Sequence, residues 1–274
     1  VMIERSKYCS TMDVVPTGNG TPSPSTADSV SADRMEDRDM ATGLEYFVET
    51  VGFVGSGAIG STVARLASEA GYPVALSNSR GPETLRDLAV EIGDRATAVD
   101  IADAAASDIV VVAIPFGTYE SLPAEAFAGK TVIDAMNYYP ARDGRLPVLD
   151  AFEVSESELL QRHLPEARIV KCFNNVYCQH LRALAKQDDS GKRSALPIAG
   201  DDLAAKEQVS RFVSAIGFDV LDVGELAAGW RFEPEMPAYA GAYRTDACLE
   251  SEPSPLSLDQ LGELIGKARR GSRR

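Results

Sequence analysis

The feature that most narrows what this chain can fold into is Gly55-Ser56-Gly57-Ala58-Ile59-Gly60. It follows directly on the apolar run Thr50–Val54 and leads into a helix-like stretch, Ser61–Ala70. A G-x-G-x-x-G is weak evidence alone. Set between a strand and a helix, with a second strand-like run at Val74–Ser77, it marks a turn built to cradle a dinucleotide's phosphates. Each glycine has its own task. Gly55 permits the tight turn, Gly57 lets the backbone approach a pyrophosphate, and Gly60 lets the helix lie close on the strand. The helix start adds unpaired N–H groups and the positive end of its dipole.

The rest of the chain supports the fold that this turn implies. Further strand candidates are Ile109–Ile114, Thr131–Asp134, Arg168–Phe173, Ala195–Gly200 and Phe218–Asp222. Ile109–Ile114 is apolar on both faces, as a strand covered by helices on each side should be. Between the strands lie Glu83–Ile92, Ser155–His163 and Asp202–Ile216, each with apolar residues at helical spacing. Asp201 or Asp202 caps the last of them and Gly217 ends it. Alternation of this kind predicts an α/β chain: a doubly wound, mostly parallel sheet of Rossmann type, with extra strands toward its C-terminal end.

Composition sets the boundaries. Residues 1–47 are rich in Ser, Thr, Asp, Pro and Gly and lack an apolar run with helix or strand period. They are expected to be a disordered tail, with Met40 an alternative start, because such a segment cannot bury enough apolar surface to offset its ordering entropy. Residues 48–243 form the expected domain. Residues 244–274 read as a solvated tail holding one short amphipathic piece, Leu258–Ile265, before a basic end.

The net charge of −14 argues against nonspecific nucleic-acid binding, since a surface that repels phosphates gains nothing from counterion release. The longest uncharged apolar stretch, Ile109–Phe116, is too short to span a membrane. No basic-then-apolar leader pattern opens the chain. Cys9, Cys172, Cys178 and Cys248 are too scattered for a disulfide framework. The expectation is a soluble cytoplasmic protein, without a nucleic-acid or membrane partner, that assembles as a homodimer.

The end of the second strand bears on the choice of dinucleotide. NAD sites usually place an Asp or Glu there to accept from the ribose 2′-OH. This chain has Ser77-Asn78-Ser79-Arg80. Two hydroxyls and an amide can bond a 2′-phosphate, and Arg80 can pair with it, so NADP is expected over NAD. Other strand ends border the same crevice: Ile114-Pro115, Asp134–Asn137 and Lys171–Asn175. Asn137 and Asn174 can bond the nicotinamide amide or its ribose, or can simply form turns by bonding their own backbone.

Several residues invite other readings. Cys172, Cys178 and His180 match no common zinc spacing, and no metal site is expected. Lys171 has no assigned role. There is no G-x-S-x-G elbow and no P-loop. Trp230, Phe232, Tyr239 and Tyr243 could wall a flat ring, or form a satellite core or a dimer contact.

Taken together, Gly55–Gly60, Ser77–Arg80, Ala113-Ile114-Pro115, Val132–Asn137, Lys171–Asn174 and Ala199–Asp202 resemble the family of NADPH-dependent oxidoreductases typified by F420H2:NADP+ oxidoreductase. The cytosolic reductase domains of six-transmembrane ferric reductases are relatives of it. The resemblance implies NADP(H) bound at Ser56–Ile59 and Ser79–Arg80, with the nicotinamide near Pro115, Asn137 and the 172–175 loop. The expected activity is hydride transfer between NADP(H) and a planar small-molecule electron carrier, F420 or a flavin. A small carbonyl or imine substrate, and an NADPH sensor without turnover, are the alternatives. No acid–base residue is singled out, in keeping with chemistry that the cofactor supplies.

Overall fold

The computed structural model describes residues 49–185, 192–246 and 251–270. The expected tail at 1–47 lies outside them. The described strands are β1 (Val51–Val54), β2 (Val74–Ser77), β3 (Ala96–Ala98), β4 (Ile109–Val112), β5 (Thr131–Asp134), β6 (Arg168–Lys171), β7 (Ala195–Gly200) and β8 (Asp219–Asp222). They form one sheet in the order β3-β2-β1-β4-β5-β6-β7-β8. Strands β1 to β6 run parallel, with Val51 opposite both Val74 and Ile109. β7 pairs antiparallel with β6, and β8 runs parallel to β7. The doubly wound, mostly parallel sheet with added C-terminal strands is therefore as expected.

Helices α1 (Ala58–Glu69), α2 (Arg86–Ile92), α3 (Ile101–Ala105), α4 (Pro140–Asp143), α5 (Pro147–Asp150), α6 (Glu156–His163), α7 (Cys178–Leu184), α8 (Leu203–Ala215) and α9 (Leu258–Lys267) complete the fold. Alternation along the strands builds a core on each face of the sheet. Val51, Phe53, Ile109 and Val111 pack with α1, α7 and α8. Val54, Val110, Val112 and Val132 pack with α3 and α6. Gly52 makes the second layer tight: a Cβ there would lie 1.8 Å from the Ala104 carbonyl oxygen.

Local signals explain the helix ends. Ser155 and Glu158 form a reciprocal capping box at the head of α6. Asp202 caps α8 by accepting from the Ala205 N–H at 2.8 Å. The other candidate cap, Asp201, instead accepts from the Leu226 N–H.

The C-terminal segment departs from the expectation of a solvated tail. Leu256, Leu261, Ile265 and Ala268 are buried, and α9 packs against β7 and β8. The Leu256 carbonyl accepts from Ala195 N–H at 2.7 Å, and Ser254 N–H donates to Tyr243. The amphipathic stripe thus completes the core over the two added strands. Removing residues 251–274 should lower stability by about 3 kcal/mol or more, since each buried Leu or Ile contributes roughly 1.5–3 kcal/mol. Urea unfolding of the truncated chain checks this, and an unchanged midpoint would contradict it.

Candidate functional site

Because β1 to β6 are parallel, their carboxyl ends open on one edge of the sheet. The order reverses between β1 and β4, and the crevice at such a switch point is where ligands bind in this class of sheet. Two cavities lie along that edge. The first, of about 430 Å³, is lined by Gly55–Gly57 after β1, by Asn78, Ser79 and Arg80 after β2, and by Ile114 and Pro115 after β4. The second, of about 330 Å³, is lined by Ala58 and Ile59, by Asn137 and Asn174, and by Tyr139, Arg142, Tyr177 and Tyr239. Ala113, Ile114 and Pro115 line both.

The three glycines of the loop have different surroundings. Gly55 has φ +101°, and a Cβ on it would meet the Ala113 carbonyl oxygen at 2.4 Å. Gly60 is buried and lines neither cavity; a Cβ there would lie 2.0 Å from the Gly55 carbonyl oxygen. Its role is packing. Gly57 is different: nothing lies within 4 Å of where its Cβ would stand. The space above it, at the head of α1, is open to a ligand. The first turn of α1 carries no acidic residue and no side-chain cap, so its N–H groups and dipole face that space uncompensated.

At the end of β2 the expected contacts are redistributed. Ser77 is fully buried and donates to the Phe53 carbonyl at 2.9 Å, so its hydroxyl does not face the cavity. The Asn78 amide shapes the turn, with Oδ1 accepting from Arg80 N–H and Nδ2 donating to Thr84. Ser79 and the Arg80 guanidinium remain available to an anion. Among the described residues, no carboxylate lines this cavity.

In the second cavity Asn137 and Asn174 hold each other. Asn137 Nδ2 donates to the Asn174 carbonyl at 2.8 Å, and Asn174 Nδ2 donates to Asn137 Oδ1 at 3.1 Å and to the Phe232 carbonyl at 3.0 Å. Asn174 Oδ1 is buried and has no hydrogen-bond partner among the described residues. An unpaired buried acceptor is costly, and one beside a cavity is suited to an N–H donor on a ligand. Phe173, immediately before it, is fully buried at φ +63°, a conformation a bulky residue rarely adopts. That twist follows the end of β6 and redirects the chain toward the cavity.

The cavity's far wall combines distant parts of the chain. The Tyr139 and Tyr239 hydroxyls hydrogen-bond to each other, and Asn137 Nδ2 lies 3.4 Å from the Tyr239 oxygen. Arg142 stacks over the Tyr139 ring at 5.0 Å and donates to the Asn137 carbonyl. Burial would raise the Asp143 carboxyl, but Arg142 and backbone N–H groups hold it below its usual range. Of the aromatic residues near the end of the domain, Tyr239 alone lines this cavity. Phe232 and Tyr243 are core residues, and Trp230 is flanked by Arg231 and Arg270.

Beneath these loops lies a group of buried charges that sequence reasoning left without a role. Lys171 Nζ is 3.3 Å from both Asp134 and Glu156, and 3.1 Å from the Met136 carbonyl. Glu233 joins the group by accepting from the Glu156 N–H at 2.9 Å. Burial alone would push the Lys171 ammonium down, but Asp134, Glu156 and Glu233 outweigh it and hold it up. Cys172 is buried, and burial pushes its thiol up, which suits a packing role. Among the described residues, no three His, Cys, Asp or Glu side chains gather as a metal site. Among them too, no helix is long and apolar enough to cross a membrane.

Fold and crevice together define a Rossmann-class domain with a crevice of the kind that takes a dinucleotide. Residues 50–138 match the family described as NADP oxidoreductase, coenzyme F420-dependent, so the family resemblance read from the sequence holds and that segment carries the family's domain. The chain is 32% identical over 187 residues to the metalloreductase STEAP3 of Rattus norvegicus, covering 67% of this chain and 35% of that protein's length. A hypothetical protein from Sinorhizobium meliloti is similar in structure, with TM-score 0.62 and 29% identity over 70% of this chain and 94% of its own. A protein from Arthrobacter sp. FB24, named provisionally as an F420-dependent NADP reductase, gives TM-score 0.55 and 26% identity, covering 65% and 85% of the two chains.

Proposed function

We propose that this domain holds NADP(H) along the two cavities and passes a hydride to a planar electron carrier, F420 or a flavin, seated in the second. The observation that carries this reading is the shared wall, Ala113-Ile114-Pro115, which links the Arg80 corner to the Asn137–Asn174 corner. The open space at Gly57 fits a pyrophosphate, and the unpaired Asn174 Oδ1 fits a carboxamide N–H. When bound, NADPH supplies the hydride. The chain's residues orient it and keep water from the reacting face.

Each group then has a stated task. Backbone N–H groups at Ser56–Ile59 hold the diphosphate, and Ser79 with Arg80 holds the 2′-phosphate. Asn137 and Asn174 fix the nicotinamide, and Tyr139, Tyr177 and Tyr239 offer faces and hydroxyls to a flat acceptor. An anaerobic absorbance screen tests the reading. Purified protein should oxidise NADPH with F420, FMN or FAD. The likeness to a metalloreductase supports a second reading, in which reducing equivalents pass to a metal, and oxidation by ferric chelates alone would favour it. Binding of NADPH without oxidation by any acceptor would leave a sensor and overturn both.

Cofactor choice gives a separate prediction. Losing one charge-assisted contact costs about 1.5–3 kcal/mol. Arg80→Ala should therefore weaken NADPH tenfold or more, by roughly that energy, and leave NADH nearly unchanged in fluorescence titration. Equal affinity of the unaltered protein for the two cofactors would refute the assignment of Arg80.

A further inference from the structure

We infer that the Tyr139–Tyr239 hydroxyl pair is a proton relay, serving an acceptor that takes up a proton along with the hydride. This rests on the hydride-transfer reading above. Both tyrosines line the second cavity, Tyr239 at the less exposed end of the pair and Tyr139 at the more exposed end. At the inner end, the Tyr239 oxygen lies 3.4 Å from the Asn137 amide, which is itself tied to Asn174. At the outer end, Tyr139 is 37% exposed. The hydroxyls touch, so a proton can pass from solvent to Tyr139, to Tyr239, and on to a ring held against the cavity wall.

The surrounding groups fit this direction. The Asn137 amide donates toward the Tyr239 oxygen, which leaves the Tyr239 hydroxyl hydrogen to point to Tyr139 or to a ligand. Arg142 stacks on Tyr139 and is already bound to Asp143 at 2.7 and 2.8 Å and to the Asn137 carbonyl. It steadies the ring. Glu156 lies behind the pair, buried with Lys171, and Tyr177 and Cys178 close the other side. Apart from the Tyr177 hydroxyl and the Cys178 thiol, the other described lining residues are apolar or amides and carry no proton to give.

The balance is simple. The acceptor ring gains a hydride in one new bond and a proton on a ring nitrogen in another. NADPH loses two electrons and one hydrogen nucleus and becomes NADP+. The Tyr239 O–H breaks, Tyr139 restores it, and water restores Tyr139. A flavin or deazaflavin ring can take up the proton with the hydride and so use such a relay, whereas a ferric chelate takes electrons alone.

The test compares the full chain with Tyr239→Phe and Tyr139→Phe, using FMN and F420 as acceptors. NADPH affinity should stay within about twofold, because neither hydroxyl holds the cofactor. Affinity for oxidised FMN, read by fluorescence quenching, should fall about three- to tenfold in Tyr239→Phe, as loss of one hydrogen bond predicts. Single-turnover NADPH oxidation should slow by about 100-fold in Tyr239→Phe and less in Tyr139→Phe, the range expected for loss of a general acid. The wild-type rate should fall in D2O, and this solvent effect should change in Tyr239→Phe. Oxidation at the wild-type rate by Tyr239→Phe would overturn the relay alone. A wild type that binds NADPH but reduces neither FMN nor F420 would overturn the relay together with the hydride-transfer reading.

Discussion

Lys171→Met should cost the protein about 3–5 kcal/mol of folding stability, the usual price of removing one partner from a buried ion pair. Lys171, Asp134 and Glu156 are fully buried and Glu233 nearly so. The ammonium lies 3.3 Å from two of these carboxylates and the substitution keeps the stem but deletes the charge. Ser157 Oγ and the Met136 N–H still donate to Asp134, at 2.6 and 3.0 Å, but neither offsets a buried negative charge. In the unaltered protein the carboxylates hold the Lys171 ammonium above its ordinary value of 10.5. A raised lysine contributes its full stability below that ordinary value and loses it only as the pH climbs through the raised one, so the neutral range leaves it untouched.

The variant should behave differently. Without the cation the buried negative charge has no counter-charge, and an unpaired buried carboxylate is destabilising until it takes up a proton. Urea midpoints for Lys171→Met should therefore increase as the pH is lowered from about 8 to about 5, relative to wild type. A variant as stable as wild type at neutral pH would show that the group is not an integrated ionic unit. Because Asp134 and Lys171 end β5 and β6 just below Asn137 and Asn174, loss of the pair should also weaken NADPH binding.

Much of this architecture can be read along the chain, and the exceptions have physical causes. The apolar runs at Val74–Ser77, Thr131–Asp134 and Ala195–Gly200 coincide with β2, β5 and β7. Those at 109–114 and 168–173 run two residues past β4 and β6: Ala113 and Ile114 go on to line the crevice, whereas Cys172 and Phe173 are buried in the core. Ala113 and Ile114 stay apolar there for the cavity wall, and Phe173 twists to a positive φ. Strand β3 and helix α3 escaped notice because each is short and rich in alanine, with too few large apolar residues to show a period.

The site divides along the same line. Its cofactor half is local: Gly55–Gly60 and Asn78–Arg80 are short motifs whose chemistry is visible in the order of residues. Its acceptor half is not. Tyr139 meets Tyr239 at a sequence separation of 100, and Glu156 meets Glu233 at one of 77. Nothing in the local pattern of either segment announces the other. Ser77 shows the converse limit, since its place in a promising motif gave no sign that its hydroxyl turns back to Phe53.

Gly57→Ala should abolish dinucleotide binding and leave the fold intact, and its contrast with Gly60→Ala separates ligand from packing. Gly57 sits at φ −76° and ψ −164°, extended backbone that alanine adopts without strain. Its new methyl would meet nothing within 4 Å, so thermal stability should match wild type or rise slightly, by at most about 1 kcal/mol through a less flexible unfolded chain. The same methyl would occupy the space proposed for the pyrophosphate. NADPH affinity should fall at least about 100-fold, or roughly 2.7 kcal/mol. Gly60→Ala places its methyl 2.0 Å from the Gly55 carbonyl oxygen, so α1 must shift away from the loop. That variant should lose about 1–3 kcal/mol of stability by overpacking, even without cofactor. Calorimetry and NADPH titration on both proteins give the decisive pairing. A stable Gly57→Ala protein that titrates NADPH normally would move the phosphate site elsewhere, whereas a Gly57→Ala protein as unstable as Gly60→Ala would show that the space above the loop belongs to the fold.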